Sequence, residues 1–340
     1  MKTIAFALLT GIICHQSCHA ISMLHTLNWA ALDNNNPYIV EGANWESVGF
    51  IHWTSTTGPS FVGTGTLVPS SIPGEFKILT AAHNVDSEGG LGGTPDGIID
   101  ADNFNIFFGA NTGANGGTAT GSVIVPRANI AVHPFWTDGN GAGLTKGAAQ
   151  YDLAVMTFTI TNVTSGVLPT TLQISTDNPT GLIGTMIGYG SWGSGQTFGN
   201  SSPDGYRRAG QNVIDVVGTT AEDPANQGFT VQTDFDGPSG EGHTTGTASP
   251  LTLEASTGGG DSGGPLVAGG GIVGVLNGGF SGIPNGKLSE YGDRSVWAAL
   301  SDQSNINFLI SAGVVIPEPS SLALVGLGMA GMLFRRRRVA

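Results

Sequence analysis

Cysteine is almost absent from this sequence. Its 340 residues include only two, Cys14 and Cys18, and both lie in an N-terminal apolar segment. If that segment is removed, the remaining chain holds no thiol, which excludes a disulfide framework even in an oxidising compartment. The fold must then be stabilised by its core and its backbone hydrogen bonds, with or without a bound ion.

Charged residues are also scarce, at 11% of the chain, and basic residues are fewer than acidic ones. Twelve Lys and Arg stand against 25 Asp and Glu, and five of these cations (Lys2 and Arg335 to Arg338) lie in the end segments. Without those five, the formal net charge falls from −13 to −18. A nucleic-acid-binding face needs clustered cations, so the composition excludes that function.

The N-terminus has the pattern of an export signal. Lys2 precedes an apolar run from Ile4 to Ile13 that is too short to span a bilayer. Cys18-His19-Ala20 then offers small residues at both positions that a signal peptidase reads. We expect signal peptidase to remove residues 1–20. A lipoprotein signal fits less well, and a buried N-terminal strand or helix is the remaining alternative.

Short runs of β-branched and aromatic residues, bounded by Gly, Pro and Ser, recur along the middle of the chain. They predict an all-β barrel or sandwich. The predicted strands include 39–42, 48–53, 61–68, 76–80, 103–109, 122–125, 130–136, 152–156, 185–189, 271–276 and 296–300. One amphipathic helix is predicted over 304–312, with its apolar residues on one side.

A glycine-rich stretch from Gly258 to Val267 surrounds Ser262. Glycine permits positive φ, and a backbone bent in that way can aim two N–H groups at one point, as an oxyanion requires. A serine hydroxyl is a poor nucleophile unless a base, itself oriented by a third group, activates it. A plain Gly-rich turn is the alternative.

Two other segments supply such groups. An apolar strand runs into Ala81-Ala82-His83, which holds an imidazole on rigid structure with room on one side. Asp152 begins another apolar strand, where a buried carboxylate must find donors, either backbone amides or an imidazole N–H. A lone histidine at a strand end can equally be an ordinary polar residue.

Together these segments resemble the motifs of trypsin/chymotrypsin-like serine proteases. The matching stretches, in order, are Leu79-Thr80-Ala81-Ala82-His83, Asp152-Leu153-Ala154-Val155 and Gly260-Asp261-Ser262-Gly263-Gly264-Pro265. Other folds with this triad use other orders. The resemblance implies a protease domain over 39–313, built from two six-stranded antiparallel β-barrels (chymotrypsin-like) with a short C-terminal helix. The active site would lie between the barrels.

The resemblance also implies the catalytic roles. His83 would be the general base, Asp152 its orienter and Ser262 the nucleophile, while the amides of Gly260 and Ser262 would form the oxyanion hole. The chain would be a secreted serine endopeptidase that cleaves protein or peptide substrates through an acyl-enzyme, with no required cofactor. Asn84 stands where the family usually has a cysteine, in accord with a cysteine-free mature chain.

A zymogen cut is expected from the same resemblance. Ile39-Val40-Glu41-Gly42 is similar to the sequence at which many of these proteases begin after activation, and the new α-ammonium would pair with Asp261. We therefore predict a cut after Tyr38 that removes 21–38 as a short propeptide. A plain strand start is the alternative.

The resemblance places three residues at the primary specificity pocket: Ser256 at its base, with Asn277 and Gly279 on its wall. A neutral base argues against an Arg or Lys preference. We expect a neutral side chain of medium to large size to be preferred, which would permit self-cleavage after Tyr38. Asn277 and Gly278 depart from the family's usual residues.

Asp96, Asp100 and Asp102 bunch in one predicted loop and would offer oxygen ligands to calcium. The spacing is not that of an EF-hand. A solvated acidic loop without an ion is the alternative.

The C-terminal segment, 314–340, has three parts: Ile316-Pro317-Glu318-Pro319, an apolar run from Leu322 to Phe334, and four arginines. It resembles the PEP-CTERM sorting signal of Gram-negative bacteria. The resemblance implies transient anchoring in the inner membrane by a transmembrane helix, release by an exosortase-type enzyme, and delivery to the cell surface or beyond.

Two other function classes remain at this stage. One is a catalytically silent protease-fold protein that binds a ligand through the cleft, and the other is a surface matrix component.

Overall fold

A computed structural model describes residues 21–24, 26–54, 60–86, 95–114, 116–138, 147–196, 202–218, 228–246, 248–280 and 289–317. The predicted export signal (1–20) lies outside these residues, as does the sorting segment from 318 onwards. Within the described ranges, no helix is long and apolar enough to cross a membrane. The predicted C-terminal membrane helix falls on residues that the structure does not describe.

The described residues form short strands with few helices. In chain order the strands are β1 Ser22–Met23, β2 Val48–Thr54, β3 Ser60–Val68, β4 Glu75–Thr80, β5 Asn103–Phe108, β6 Gly121–Pro126, β7 Ile130–Val132, β8 Ala154–Thr159, β9 Val163–Gly166, β10 Ile183–Gly188, β11 Gly193–Ser194, β12 Arg208–Val213, β13 Val216–Gly218, β14 Thr230–Asp234, β15 Ala255–Ser256, β16 Pro265–Ala268, β17 Gly271–Phe280 and β18 Arg294–Ala299. The α-helices are α1 Pro37–Gly42, α2 Pro134–Asp138 and α3 Gln303–Ser311. Four 3₁₀ turns cover Ala82–Asn84, Arg127–Asn129, Ala149–Tyr151 and Ile160–Asn162.

Two large antiparallel sheets dominate the fold, as predicted. The first has the order β7-β8-β4-β3-β2-β5-β6-β9, and the second has the order β12-β10-β16-β17-β18-β14-β13. Among the described residues they contain eight and seven strands, where six each were expected, because short strands such as β7, β9 and β13 join the edges. A small third sheet has the order β11-β1-β15.

The two large sheets share one hydrophobic cluster. Phe50, Leu79 and Val155 come from the first sheet, and Val275 comes from the second. Leu309 of α3 completes this cluster from the C-terminal end. Because burial of apolar area is the main stabilising term, this shared core fixes the two sheets against each other, and the predicted catalytic residues lie where they meet.

The predicted strand over 39–42 is wrong, because these residues lie in α1. Asn36 caps the helix: its side-chain oxygen accepts hydrogen bonds from the amides of Tyr38 and Ile39 at 3.0 and 3.3 Å. Pro37 occupies the first helical position, where its missing N–H costs nothing. The Asn-Pro pair that we interpreted as a turn is therefore a helix start.

The predicted strand over 130–136 is only half present. Strand β7 ends at Val132, and α2 begins at Pro134. Proline has no N–H for a sheet ladder but fits the first turn of a helix, so the chain changes structure there.

The segment 21–38, predicted as a propeptide, belongs to the core of this structure. Ile21, Met23 and Tyr38 are fully buried. The Tyr38 hydroxyl donates to the carbonyl of Glu254 at 2.9 Å and accepts from the amide of Leu24 at 3.1 Å. These contacts join the two ends of the segment to each other and to the residue before β15.

Candidate active site

His83 and Asp152 are in direct contact, as the sequence predicts. His83 lies in the 3₁₀ turn after β4, and Asp152 directly follows the 3₁₀ turn that precedes β8, the strand paired with β4. His83 Nδ1 lies 2.6 Å from Asp152 Oδ2, and the His83 amide donates to Oδ1 at 2.8 Å. The Asp152 side chain is fully buried, whereas the imidazole is 25% exposed. The carboxylate thus holds the imidazole while leaving it accessible.

Asp152 shifts the pKa of His83. Burial alone lowers that pKa, but the charge of Asp152 and its hydrogen bond raise it more, so the net pKa is above the ordinary value of 6.5. The shift is caused by a nearby opposite charge and a hydrogen bond to the charged form. The same contact would stabilise an imidazolium at His83.

Asn277 contacts the same carboxylate, which the sequence analysis did not predict. Asn277 lies in β17, and its Nδ2 donates to Asp152 Oδ2 at 2.6 Å. We had assigned Asn277 to the specificity pocket, and it does line the cavity there. Its hydrogen bond, however, makes it a positioning residue for Asp152. The two residues are far apart in the chain, so only the three-dimensional structure reveals the contact between β17 and the residues before β8.

The loop before Ser262 is a tight turn. The Asp261 amide donates to the Gly258 carbonyl at 3.0 Å, and Gly260 has φ of +94°. A Cβ at Gly260 would lie 2.9 Å from the Cα of Gly190, so both φ and the close approach require glycine. In the part of the chain that the structure describes, the amides of Gly260 and Ser262 donate no hydrogen bond. They are therefore available to an oxyanion.

The first sheet holds the backbone of Ser262. The Ser262 carbonyl accepts from the Thr64 amide at 2.8 Å and from Asn84 Nδ2 at 2.7 Å. Thr64 Oγ1 in turn donates to the Gly260 carbonyl at 2.8 Å. Asn84, at the usual cysteine position, is thus a hydrogen-bonding clamp between the two sheets. Its only sequence signal is that it follows His83.

Asp261 is buried behind the loop. Its carboxylate accepts from the amides of Gly190 and Gly258 at 2.9 and 3.0 Å. It also accepts a backbone hydrogen bond from Ile21. The predicted pair of Asp261 with the Ile39 α-ammonium requires a cut after Tyr38, and in the uncut chain the Ile39 amide is held inside α1 by Asn36. In the uncut chain Asp261 is contacted by Ile21, a residue that no sequence motif singles out.

His83 and Ser262 line one cavity of about 150 Å³ together with the predicted pocket residues Ser256, Asn277 and Gly279. Its remaining described lining residues are Thr257, Gly258, Gly259, Gly278, Ser289, Asp293 and Arg294. The structure therefore brings the triad, the turn and the predicted pocket into one place.

The triad geometry and the two-sheet fold agree with a comparison of sequences. A sequence model described as Trypsin matches residues 62–291, more than half of the chain. The chain belongs to the trypsin family. A second model, described as the PEP-CTERM protein-sorting motif, matches residues 315–338. No curated protein matches the sequence significantly.

Solved structures with the same fold include three proteases. The protease Anisep from Arthrobacter nicotinovorans is 16% identical with a TM-score of 0.51, and the match covers 79% of this chain and 95% of that one. The thermostable serine protease AL20 from an extremophilic microorganism is 15% identical with a TM-score of 0.51, covering 80% and 98%. HL collagenase is 16% identical with a TM-score of 0.50, covering 80% and 95%. At these identities the likeness shows the fold alone.

The predicted base of the specificity pocket in this trypsin-family domain is lined by hydroxyl groups. Ser256 Oγ lies 3.1 Å from Ser295 Oγ, which lies 2.7 Å from Thr257 Oγ1. Two charged residues also line the cavity. The Arg294 guanidinium contacts the Thr244 hydroxyl and lies over the Phe280 ring. The carboxylate of the buried Asp293 accepts a hydrogen bond from the Glu290 amide at 2.9 Å.

The three predicted calcium ligands do not converge on one point. Asp102 pairs with Arg127, and an Asp96 oxygen accepts from the Ile98 amide. Asp96, Asp100 and Asp102 do not form a ligand group among the described residues. The carboxylate that organises this loop is Asp86, which accepts from two loop amides at 3.2 Å. Burial raises the pKa of Asp86 to about 6.

A different group does converge in the second sheet: Asp234, Asp236 and His243. His243 Nδ1 lies 3.7 Å from Asp234 Oδ2 and 3.5 Å from Asp236 Oδ1. Asp234 Oδ2 already accepts three hydrogen bonds, from Thr244 N, Thr244 Oγ1 and Thr245 N at 2.6, 3.0 and 2.6 Å. That oxygen has little capacity left for a metal, so we assign this group to local loop structure.

Proposed function

We propose that this trypsin-family protein is an exported serine endopeptidase in which Ser262 attacks the peptide bond, His83 is the general base and Asp152 orients the base. The observation that carries the proposal is the 2.6 Å contact between His83 Nδ1 and Asp152 Oδ2 in the cavity that Ser262 lines. A silent binding protein or a matrix component would need neither this contact nor two free amides beside the serine.

The hydrogen bonds of Asp152 determine which nitrogen of His83 is the base. Asp152 Oδ2 is contacted by Asn277 Nδ2 and His83 Nδ1, and Oδ1 is contacted by the His83 amide. An ionised carboxylate only accepts hydrogen bonds, so Nδ1 carries the proton. Nε2 is then left with a lone pair. That nitrogen removes the Ser262 proton as Oγ attacks the substrate carbonyl.

The remaining steps follow from the same groups. The oxyanion that forms on the substrate is bound by the amides of Gly260 and Ser262. Imidazolium at His83 then protonates the leaving amine, and the acyl group stays on Ser262. Water repeats the sequence with His83 as base, which releases the acid and regenerates the serine. Loss of one oxyanion donor typically lowers kcat by about 10²–10³.

The primary pocket favours a neutral side chain. Its base consists of serine and threonine hydroxyls that hydrogen-bond one another. Cavities of about 150 Å³ accept benzene-sized groups, so a medium to large neutral side chain fits the volume of about 150 Å³. The buried carboxylate of Asp293 favours the second candidate, a basic side chain.

Export and sorting complete the proposal. The matched sorting motif indicates export by a Gram-negative bacterium and a surface location. We propose that signal peptidase and an exosortase-type enzyme process the two ends, and that membrane contact is transient and restricted to the C-terminal segment. Protein or peptide substrates outside the cytoplasm are then the partners.

Hydrolysis of an unfolded protein substrate tests the activity. Wild-type protein should cleave it, and Ser262→Ala should lower kcat by on the order of 10⁶. Ser60→Ala, at an exposed serine outside the cavity, should keep full activity. An inactive wild type that is folded, or an active Ser262→Ala, would refute the proposed mechanism.

A peptide library with all residues at the cleaved position tests the pocket. Neutral residues of medium to large size should dominate. Cleavage after Arg or Lys that is lost in Asp293→Asn would replace the neutral preference with a basic one.

A further inference from the structure

Ile21 occupies a buried site behind the catalytic loop. It is fully buried and packs in the cluster of Met186, Leu276 and Trp297. Its backbone N–H donates to the Asp261 carboxylate, which immediately precedes Ser262. Strand β1, which follows it, is fixed on both sides because it pairs with β11 and β15. The position of the Ile21 nitrogen is therefore set by the fold.

The charge on Asp261 is poorly compensated while Ile21 is part of an uncut chain. Burial raises the pKa of this carboxyl to about 7, although hydrogen bonds from Gly190, Gly258 and Ile21 and the charge of Arg208 lower it. A full positive charge beside a buried carboxylate stabilises its ionised form more than a neutral amide does. Arg208 is already engaged by Asp204 at 2.7 Å.

The residue before Ile21 is Ala20, the last residue of the predicted export signal. We propose that removal of the export signal is itself the activating cut, and that the freed α-ammonium of Ile21 pairs with Asp261 and orders the Ser262 loop. In this step water hydrolyses the Ala20–Ile21 peptide bond. Ala20 leaves as a carboxylate, and the Ile21 amine takes up a proton.

This inference replaces the predicted activation at Ile39. The segment 21–38 is not discarded but remains as a structural part, anchored by Tyr38 and by Asn36. Asn36 Nδ2 donates to the carbonyls of Trp29 and Ala31 at 2.7 and 2.9 Å. The protease would then be inactive until export, which protects the proteins of the cytoplasm without a separate zymogen. The inference rests on the proposed protease function and names its regulation.

Two forms of the protein with different N-termini test the activation. One begins at Ile21, and the matched control carries a single added glycine before Ile21. The form that begins at Ile21 should have kcat/KM about a hundredfold higher, because the extended form places a neutral amide beside Asp261. Equal activities of the two forms, with the same melting temperature, would overturn the inference.

A second measurement does not depend on catalysis. In the Ser262→Ala background, the α-amino group of Ile21 should react with acetic anhydride at least tenfold more slowly than the amine of the glycine-extended form. Asp261→Asn should remove this protection. A protected amine in a protein without protease activity would refute the proposed function alone. A freely reactive amine in an active protease would refute the activation by Ile21 alone.

The start of the exported protein provides the third test. Mass spectrometry of active wild-type protein, collected outside the cytoplasm, should show Ile21 as the first residue. An active protein that begins at Ile39 would restore the propeptide and refute the inference.

Discussion

At the scale of single residues, the central feature is the number of donors that converge on Asp152. The carboxylate is buried and receives the His83 amide, the His83 imidazole and Asn277. An isolated buried charge is costly, but three short hydrogen bonds to ionised or polar donors offset that cost. The carboxylate is thereby held in one orientation, and the imidazole with it.

Asn277→Ala should lower kcat/KM by roughly 10- to 100-fold, because a hydrogen bond to a charged group is worth about 1.5–3 kcal/mol. Loss of this donor also leaves more negative potential at His83, so the acid limb of the pH–rate profile should move to higher pH. The matched control is Asn105→Ala, which removes an asparagine hydrogen bond in β5. If Asn277→Ala only lowers the melting temperature and leaves the acid limb in place, Asn277 has a merely structural role.

The pKa of His83 gives a second prediction at this scale. Only neutral His83 can accept the serine proton, and its pKa is raised above 6.5. The value of kcat/KM should therefore rise with pH through an apparent pKa above 6.5. In the Ser262→Ala background, NMR titration of the His83 imidazole should likewise give a pKa above 6.5. Asp152→Asn leaves burial as the main influence, so the titration should then move below 6.5. A titration that does not respond to Asp152→Asn would contradict the assigned cause.

At the scale of elements, α1 connects the N-terminal segment to the second sheet. Asn36 is fully buried and makes four side-chain hydrogen bonds, two to amides of α1 and two to carbonyls of the preceding loop. One residue thus begins the helix and also closes the loop that leads to it.

Asn36→Ala should lower the free energy of unfolding by roughly 2–4 kcal/mol, since it removes a helix cap and leaves buried carbonyls without donors. Asn36→Asp keeps the cap acceptor but loses the two donors, and it should fall between the wild type and the alanine variant. Urea denaturation measures both. A change below about 0.5 kcal/mol for Asn36→Ala, the range of an ordinary surface substitution, would show that the capping contacts are not important for stability.

Much of the fold and the residues of the candidate site could be predicted from the sequence, and the reasons are local. The runs that became β2, β3, β4 and β17 are short, β-branched and bounded by turn residues. His83, Asp152 and Ser262 each lie in a compact motif. In contrast, the contact of Asn277 with Asp152 joins residues more than a hundred positions apart, and no sequence motif around Asn277 predicts it.

The N-terminal segment was harder to predict for a related reason. Ile39 matches a short local pattern, but the Asn36 cap and Pro37 favour a helix there. Ile21 reaches Asp261 only because β1 pairs with β11 and β15. At Ile39, local propensity therefore predicted a strand where a helix forms. At Ile21, the contact with Asp261 depends on long-range strand pairing, which local propensity does not predict.

At the scale of the whole molecule, the candidate active site depends on contact between the two sheets. The first sheet supplies His83 and Asp152 and the donors Thr64 and Asn84, which hold the Ser262 carbonyl. The second sheet supplies the serine loop. A shared hydrophobic cluster, which includes Tyr189, fixes this arrangement. The Tyr189 hydroxyl donates to the Gly109 carbonyl, just after β5, at 2.6 Å and lies 3.1 Å from the Val48 carbonyl of β2. If residues 1–20 are removed, the remaining chain holds no cysteine, and these contacts then span the junction without a disulfide.

The central claim is that Ser262 is a nucleophile activated by this assembly, and covalent labelling tests it most directly. Exported wild-type protein is treated with a fluorophosphonate and digested, and the adduct is located by mass spectrometry. We expect one adduct per chain, on Ser262, and a strongly reduced labelling rate in His83→Ala. A folded protein that carries no adduct, or an adduct on another serine that persists in Ser262→Ala, would contradict the account.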